Sequence, residues 1–275
     1  MKNIKLAYAT VLWFPFSDKD LGKVFKEIKL AGYQGVDLIL PFPIGDTERE
    51  FKPLLKEIKK SLQASELELC SILVGNLGPE MKLGQITIYE NGIDFALALG
   101  CDKVMFASGG REEKNIRTHI RMLARVLEEL GEYAASRKIE LTLHHHLGSL
   151  LGTKEEIDFL FEECKCENVK LTLDTGHLLA AGDDPLEAIK DYYQRGLLDY
   201  LHFKDARGKI YKDLGLGDGT VDFLEIMRTL KQVGYKGWIG VETEGSPGGR
   251  TPFQTAKKDR EYLQEVLNKL QVENS

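Results

Sequence analysis

Eight short apolar runs, each followed by a polar loop and then by a segment of helical periodicity, succeed one another along this chain. Nothing else restricts its fold as strongly. Strands separated by helices must run parallel, and a right-handed crossover at every step lets eight of them close into a barrel. The first unit is IKLAYA at 4–9, a loop with Trp13, Pro15 and Ser17, and an amphipathic helix over about 18–31 that stops at Gly32. GVDLIL at 35–40 follows, with Pro41, Pro43 and Gly45 in its loop and a helix around 48–64; then LELCSILV at 67–74 with a helix near 86–99, and KVMFA at 103–107 with a helix over about 112–136. In the second half, strands at 140–145, 170–174, 199–203 and 238–243 precede helices near 154–164, 185–194, 221–232 and 252–270. Thr153 with Glu156 reads as a capping box, and Asp184 as an N-cap before an N1 Pro185. The pattern predicts an α/β fold, a single-domain (β/α)8 TIM barrel over residues 1–275. The competing open, doubly wound sheet wants a glycine-rich phosphate turn after the first strand, and AYATVLWFPF has none.

Composition narrows the function. The 275 residues are 43 % hydrophobic, enough for one large core, and the formal charge is -6. Lys and Arg are dispersed among acidic residues, which opposes nucleic-acid binding, since phosphate neutralisation needs clustered cations. No run reaches the roughly 18 apolar residues of a membrane span. The N-terminal MKNIKLAYATVLWF lacks a signal peptide's apolar core and cleavage site. Cys70, Cys101, Cys164 and Cys166 form no CxxC and read as reduced thiols of a cytoplasmic protein. A small-molecule partner is expected, and a homo-oligomer is compatible with all of this.

The reactive side chains gather where strands stop. LTLHHH at 141–146 sends His144 and His146 to one face and His145 to the other. The plain alternative is a hydrogen-bonded histidine cluster without metal. Asp174 closes the next strand in DTGH, turning through Gly176 into His177, and has the alternative of merely capping that turn. HFKDAR brings His202, Lys204, Asp205 and Arg207 together; His202 and Lys204 share a face, Asp205 is placed to orient either, and a surface Lys204–Asp205 ion pair is the plain alternative. In VETEG, Glu242 and Glu244 share a face, and Glu242 follows the apolar WIGV, where a carboxylate is costly unless a cation or hydrogen bonds compensate it. We therefore expect His144, Asp174, His202 and Glu242 to converge on one divalent metal ion, and this mixed N/O set suits Mn, Co, Zn or Fe better than Mg or Ca. GLGDGT at 215–220 and SPGGRT at 246–251 follow strands 7 and 8, where barrels often hold phosphate; they are plain turns otherwise, and Arg250 is the candidate anion contact.

These motifs resemble those of the xylose-isomerase-like barrels, a superfamily of sugar isomerases, epimerases and related metal enzymes. The resemblance is specific over about 140–244 and general elsewhere. Its members carry an acidic or histidine ligand ending strand 5, DTGH on strand 6, HxKD on strand 7 and a VE pair on strand 8; these positions fall on His144, Asp174, His202 and Glu242. Within the superfamily, LTLHHHLGSLLGTKEEID, DTGHLLAAGDDP and HFKDAR most resemble the inosose dehydratases, which remove water from 2-keto-myo-inositol, whereas AYATVLWFPFSD does not resemble their usual beginning. Isomerases and epimerases of the group commonly end strand 5 with a glutamate that moves protons together with the one on strand 8. Here that position is His144, which favours a lyase.

The expected substrate is a keto-sugar or keto-inositol, and the expected chemistry starts by removing the proton α to its carbonyl. Glu242 or His177 is the expected base and His146 the acid for the departing hydroxyl. Lys204 and Arg207 are expected to hold substrate oxygens or enolate charge, and His177, Glu244 and Trp13 complete the expected substrate contacts. A keto-sugar isomerase or epimerase shares the first step, as does a lyase acting on 3-keto-glycosides. A non-catalytic sugar-binding barrel is the alternative of a different class. A trinuclear-zinc endonuclease needs histidines on early strands, and the first histidine here is His119.

Overall fold

The computed structural model describes residues 4–15, 20–40, 48–78 and 86–272. Strands β1 (Lys5–Ala9), β2 (Gly35–Ile39), β3 (Glu68–Leu77), β4 (Lys103–Ser108), β5 (Glu140–His144), β6 (Val169–Asp174), β7 (Leu198–Phe203) and β8 (Trp238–Val241) pair in parallel in sequence order. β1 then pairs with β8, Lys5 opposite Trp238, and the sheet closes as an eight-stranded barrel. The helices between them are α1 (Leu21–Ala31), α2 (Glu48–Ser65), α3 (Ile86–Leu99), α4 (Ile116–Ser136), α5 (Lys154–Glu163), α6 (Thr175–Ala181), α7 (Pro185–Gln194), α8 (Phe223–Val233) and α9 (Pro252–Val272).

The expected order holds, with shifted boundaries. β3 runs on to Leu77, β5 stops at His144 and β8 at Val241. The segment expected to open the fourth helix is a 3-10 turn, Glu113–Asn115, ahead of α4. Eight helices were expected, but nine are present among the described residues, because DTGH opens the short helix α6 and does not form a plain turn. Asp174 is the N-cap of α6, which satisfies one of its free amides. The capping box at Thr153 and the Asp184 cap with Pro185 at N1 are both present. The start of the first expected helix and the Pro41, Pro43 and Gly45 loop lie outside the described residues.

Two cores follow from strand alternation. Outward-facing Tyr8, Val36, Leu38, Ile72, Phe106, Leu143, Leu171, Phe203 and Val241 pack under the helices in a large apolar layer. The barrel interior is different: Ala7, Cys70, Met105 and Tyr200 fill its floor. Above them stand buried polar groups, Asp37, Ser71, Thr142, Thr172 and His202, and above those His144, Asp174, Lys204 and Glu242. Gly240 on β8 leaves room for this layer, since a Cβ there would meet Tyr200 Oη at 2.7 Å, His202 Cδ2 at 3.1 Å and Asp37 Oδ2 at 3.2 Å. A polar layer inside a barrel is expensive unless every charge is matched, so its pairing defines the site. All four cysteines are free thiols, and no helix among the described residues is long and apolar enough to cross a membrane.

Candidate metal centre and acid–base pair

Register brings the ends of the last four strands together. Asp174 is the ladder partner of His202, His202 of Gly240, and His144 of Thr172. One donor atom from each of His144, Asp174, His202 and Glu242 lies within 4.8 Å of the other three. His144 Nε2 is 3.6 Å from Asp174 Oδ2 and 3.9 Å from Glu242 Oε2, and His202 Nδ1 is 2.8 Å from Glu242 Oε2. Ligands about 2.1 Å from one tetrahedral ion stand about 3.4 Å apart, so the spacing fits. Hydrogen bonding fits as well: His144 Nε2, His202 Nδ1 and Asp174 Oδ2 are buried with no hydrogen-bond partner, although His202 Nδ1 is close to Glu242. Buried lone pairs left facing one another are costly unless a cation takes them.

Each candidate ligand has a separate support. Asp174 uses one oxygen for structure, accepting the His177 N–H at 2.8 Å through Oδ1, and turns Oδ2 to the centre. Asp174 therefore caps the helix with one oxygen and leaves the other among the candidate ligand atoms. The Asp174 N–H donates to His145 Nε2 at 3.0 Å, and burial, helped by neighbouring His144, holds the His145 imidazolium down to about 3. His145 thus points away from the ligand face, as alternation requires. His202 donates from Nε2 to Asp37 Oδ2 at 2.5 Å, and Ser71 Oγ donates to Asp37 Oδ1 at 2.5 Å. This carboxylate behind the imidazole fixes its tautomer and leaves Nδ1 facing the centre. Burial opposes a charged His202, but Glu242 and Asp37 outweigh it and raise the imidazolium to about 10. The position favours positive charge.

Lys204 joins the centre to a second cluster. Its fully buried ammonium lies 3.0 Å from Glu242 Oε1 and 2.7 Å from Glu244 Oε1. Gly176 permits this, because a Cβ there would meet Lys204 Cγ at 2.8 Å. Burial pushes Glu242 and Glu244 towards protonation, yet Lys204 and His202 hold Glu242, and His146 and Lys204 hold Glu244, below the usual carboxylate range. Glu244 Oε1 is 3.7 Å from both His146 Nε2 and His177 Nε2, and the two imidazole centroids are 3.8 Å apart. Burial drives His177 well below its ordinary value, with Lys204 adding to the effect, whereas Glu244 and the Leu147 carbonyl raise His146 against its own burial. The neighbours differ in protonation tendency, as an acid and a base must.

Several expectations are corrected. Asp205 orients neither His202 nor Lys204 and makes no ion pair with Lys204: its buried carboxylate accepts the N–H groups of Ala206, Gly217, Gly219 and Val221. Arg207 is exposed and its guanidinium donates to the Asp218 carbonyl. Arg250, the candidate anion contact, is engaged by Asp218 at 2.9 Å. Trp13 lies in a 3-10 turn after β1, with its indole N–H on Glu27 at 2.7 Å and its ring edge-on to Tyr8. Asp37 was missed, although it offered the same signal as Glu242, a lone carboxylate inside an apolar strand.

The family model described as xylose isomerase-like TIM barrel matches residues 25–266. The chain belongs to that family. It has curated relatives over nearly its whole length: it is 27 % identical to the inosose dehydratase of Clostridium botulinum (strain Eklund 17B / Type B), covering 96 % of this chain and 97 % of that one. Among solved structures it is similar to a D-tagatose 3-epimerase-like protein, with a TM-score of 0.78 at 19 % identity over 98 % of this chain and 100 % of that one. It is also similar to the IOLI protein with a binding zinc atom, with a TM-score of 0.71 at 18 % identity over 96 % of each. At these identities the structural likenesses establish the xylose isomerase-like barrel fold.

Proposed function

We propose that this xylose isomerase-like barrel is a divalent-metal-dependent lyase that dehydrates a keto-inositol or keto-sugar in the manner of an inosose dehydratase. The observation that carries the reading is the ring of four donor atoms on four strand ends, two of them, His144 Nε2 and Asp174 Oδ2, buried without a partner, beside two imidazoles of opposite protonation tendency. His144, Asp174, His202 and Glu242 would hold the ion. When bound, a divalent ion there supplies Lewis-acid polarisation of a ketone oxygen and offsets negative charge developing on it.

The chain's own residues do the rest. His177, kept neutral by burial, takes the proton α to the carbonyl, and the C–H electron pair becomes the enolate double bond. The enolate then expels the β-hydroxyl: the C–O bond breaks, an enone forms, and His146 supplies the proton that makes the leaving group water. Afterwards His177 carries the extra proton and His146 lacks one. Their 3.8 Å separation around Glu244 allows the pair to reset. Glu242 accepts from Lys204 and lies against His202, so it is a better ligand than base. An imidazole at the end of β5, where a two-carboxylate epimerase needs a glutamate, favours elimination over epimerisation.

The test is to incubate metal-replete enzyme with inososes and common ketoses in D₂O and follow the α position by NMR. Loss of water with an enone product is expected. Exchange with inversion and no water loss would move the assignment to an epimerase, and a protein that binds no divalent ion would end it.

A further inference from the structure

Tyr211 lies between β7 and α8, just past an isolated antiparallel bridge joining Arg207 and Ile210. Its ring meets both imidazoles of the acid–base pair, 4.6 Å from His177 with planes at 70° and 5.6 Å from His146 with planes at 90°. The Lys204 ammonium stands 6.0 Å over the ring centroid and that of Lys212 5.9 Å over it. The pair sits at the mouth of the barrel, where water has access, yet the His177 side chain has 0 % exposure while His146 retains 33 %. The Tyr211 ring is part of what covers them.

A latch holds that ring in place. The Asp205 carboxylate accepts N–H groups from Ala206 at 2.8 Å, Gly217 at 2.9 Å, Gly219 at 2.8 Å and Val221 at 3.1 Å. One buried side chain thus ties together both ends of the loop that carries Tyr211. A loop closed at its base on four charge-assisted hydrogen bonds loses most of its freedom to swing outward. Arg207, through the Asp218 carbonyl, ties the first part of the loop to the last.

We infer that Tyr211, held by Asp205, is the cover that keeps water from His177, the buried member of the proposed acid–base pair. It is a positioning residue, not a proton carrier, and the inference rests on the acid–base reading above. The reason is competition. Water that reached the His177 ring would compete with substrate for it, whereas a covered ring meets only what the loop admits. The aromatic ring makes these contacts, so phenylalanine is sufficient.

The experiment compares metal-loaded wild type with Tyr211→Phe, Tyr211→Ala and Asp205→Asn. Carbethoxylation of histidines by diethyl pyrocarbonate, located by mass spectrometry, reads the cover without any substrate. His177 is expected to resist modification in the wild type and in Tyr211→Phe, and to become reactive in Tyr211→Ala and Asp205→Asn. In D₂O the latter two are expected to deposit several-fold more deuterium in recovered substrate per turnover, with kcat affected more than KM. His177 that stays unreactive in Tyr211→Ala or in Asp205→Asn, or that becomes equally reactive in Tyr211→Phe, overturns the inference. Wild type that never exchanges the α proton of any inosose or ketose would defeat the acid–base reading and the catalytic half of this inference with it, while the carbethoxylation pattern still decides whether the ring is a cover.

Discussion

His202 and Asp37 meet inside the barrel at 2.5 Å, although 165 positions separate them in the chain. The contact orients a proposed ligand from behind, and outer partners of this kind typically contribute about 10–100-fold to metal affinity. Asp37→Asn should weaken metal binding by about that factor in a chelator competition while the circular dichroism spectrum stays that of the folded barrel. Wild-type affinity in the variant would show that His202 needs no carboxylate behind it.

Asp174 divides its oxygens between a helix cap and the centre, so two substitutions separate the roles. Asp174→Asn should lose bound metal and keep most of its stability, because the amide oxygen can still accept the His177 N–H. Asp174→Ala should lose both, at a cost of about 1 kcal/mol for the cap, read by denaturant unfolding of the metal-free proteins. His144→Ala should likewise lower the metal stoichiometry. Unchanged metal content in both Asp174→Asn and His144→Ala would reject the ligand assignment.

The proposed acid–base pair lies outside the proposed set of four ligands. His177→Asn and His146→Gln should each lower kcat by roughly 10²–10⁴-fold, the range for losing one general acid or base. Metal content, measured by elemental analysis, should not change. A variant that loses its metal in step with its activity would place that histidine among the ligands.

Lys204 is the ammonium shared by Glu242 and Glu244, and all three are buried or nearly so. Lys204→Met deprives the two carboxylates of the ammonium they share, and removing one partner of a buried ion pair costs about 3–5 kcal/mol. Adding Glu244→Gln should recover part of that loss. If the double variant is no more stable than Lys204→Met, the pairing seen here contributes nothing to stability.

Asp259 gives the fold a pH dependence of its own. On α9, it accepts from Tyr8 Oη at 2.8 Å, Thr243 Oγ1 at 2.9 Å and the Leu216 N–H at 2.9 Å, yet burial outweighs these bonds and raises its carboxyl from 3.8 to about 6. A folded value above the unfolded one stabilises the fold fully below the unfolded value, and that contribution is lost as pH rises from about 4 through about 6. The shift corresponds to about 3 kcal/mol at most. Relative to wild type, Asp259→Asn should therefore gain stability between those two pH values and hold the gain above them. A stability difference that does not vary with pH would refute the raised value.

How much was legible in the sequence depended on how local the information was. The apolar runs, their spacing and the helix caps at Thr153 and Asp184 predicted a closed parallel barrel, because period and punctuation are properties of short segments. The convergence of His144, Asp174, His202 and Glu242 was legible for the same reason: alternation along one strand fixes which face a side chain takes, and each of the four lies within one residue of a strand's end.

What alternation leaves open is which neighbour waits on that face. Closure of the sheet set Asp37 of β2 behind His202 of β7, gave Lys204 two glutamates in place of the adjacent Asp205, and sent Asp205 to four amides of its own loop. It also divided the three consecutive histidines among a proposed ligand, a buried acceptor for the Asp174 amide and one member of the proposed acid–base pair. Apart from the loop contacts of Asp205, those partnerships join groups distant in sequence, and only the curvature and register of the closed barrel bring them within bonding distance.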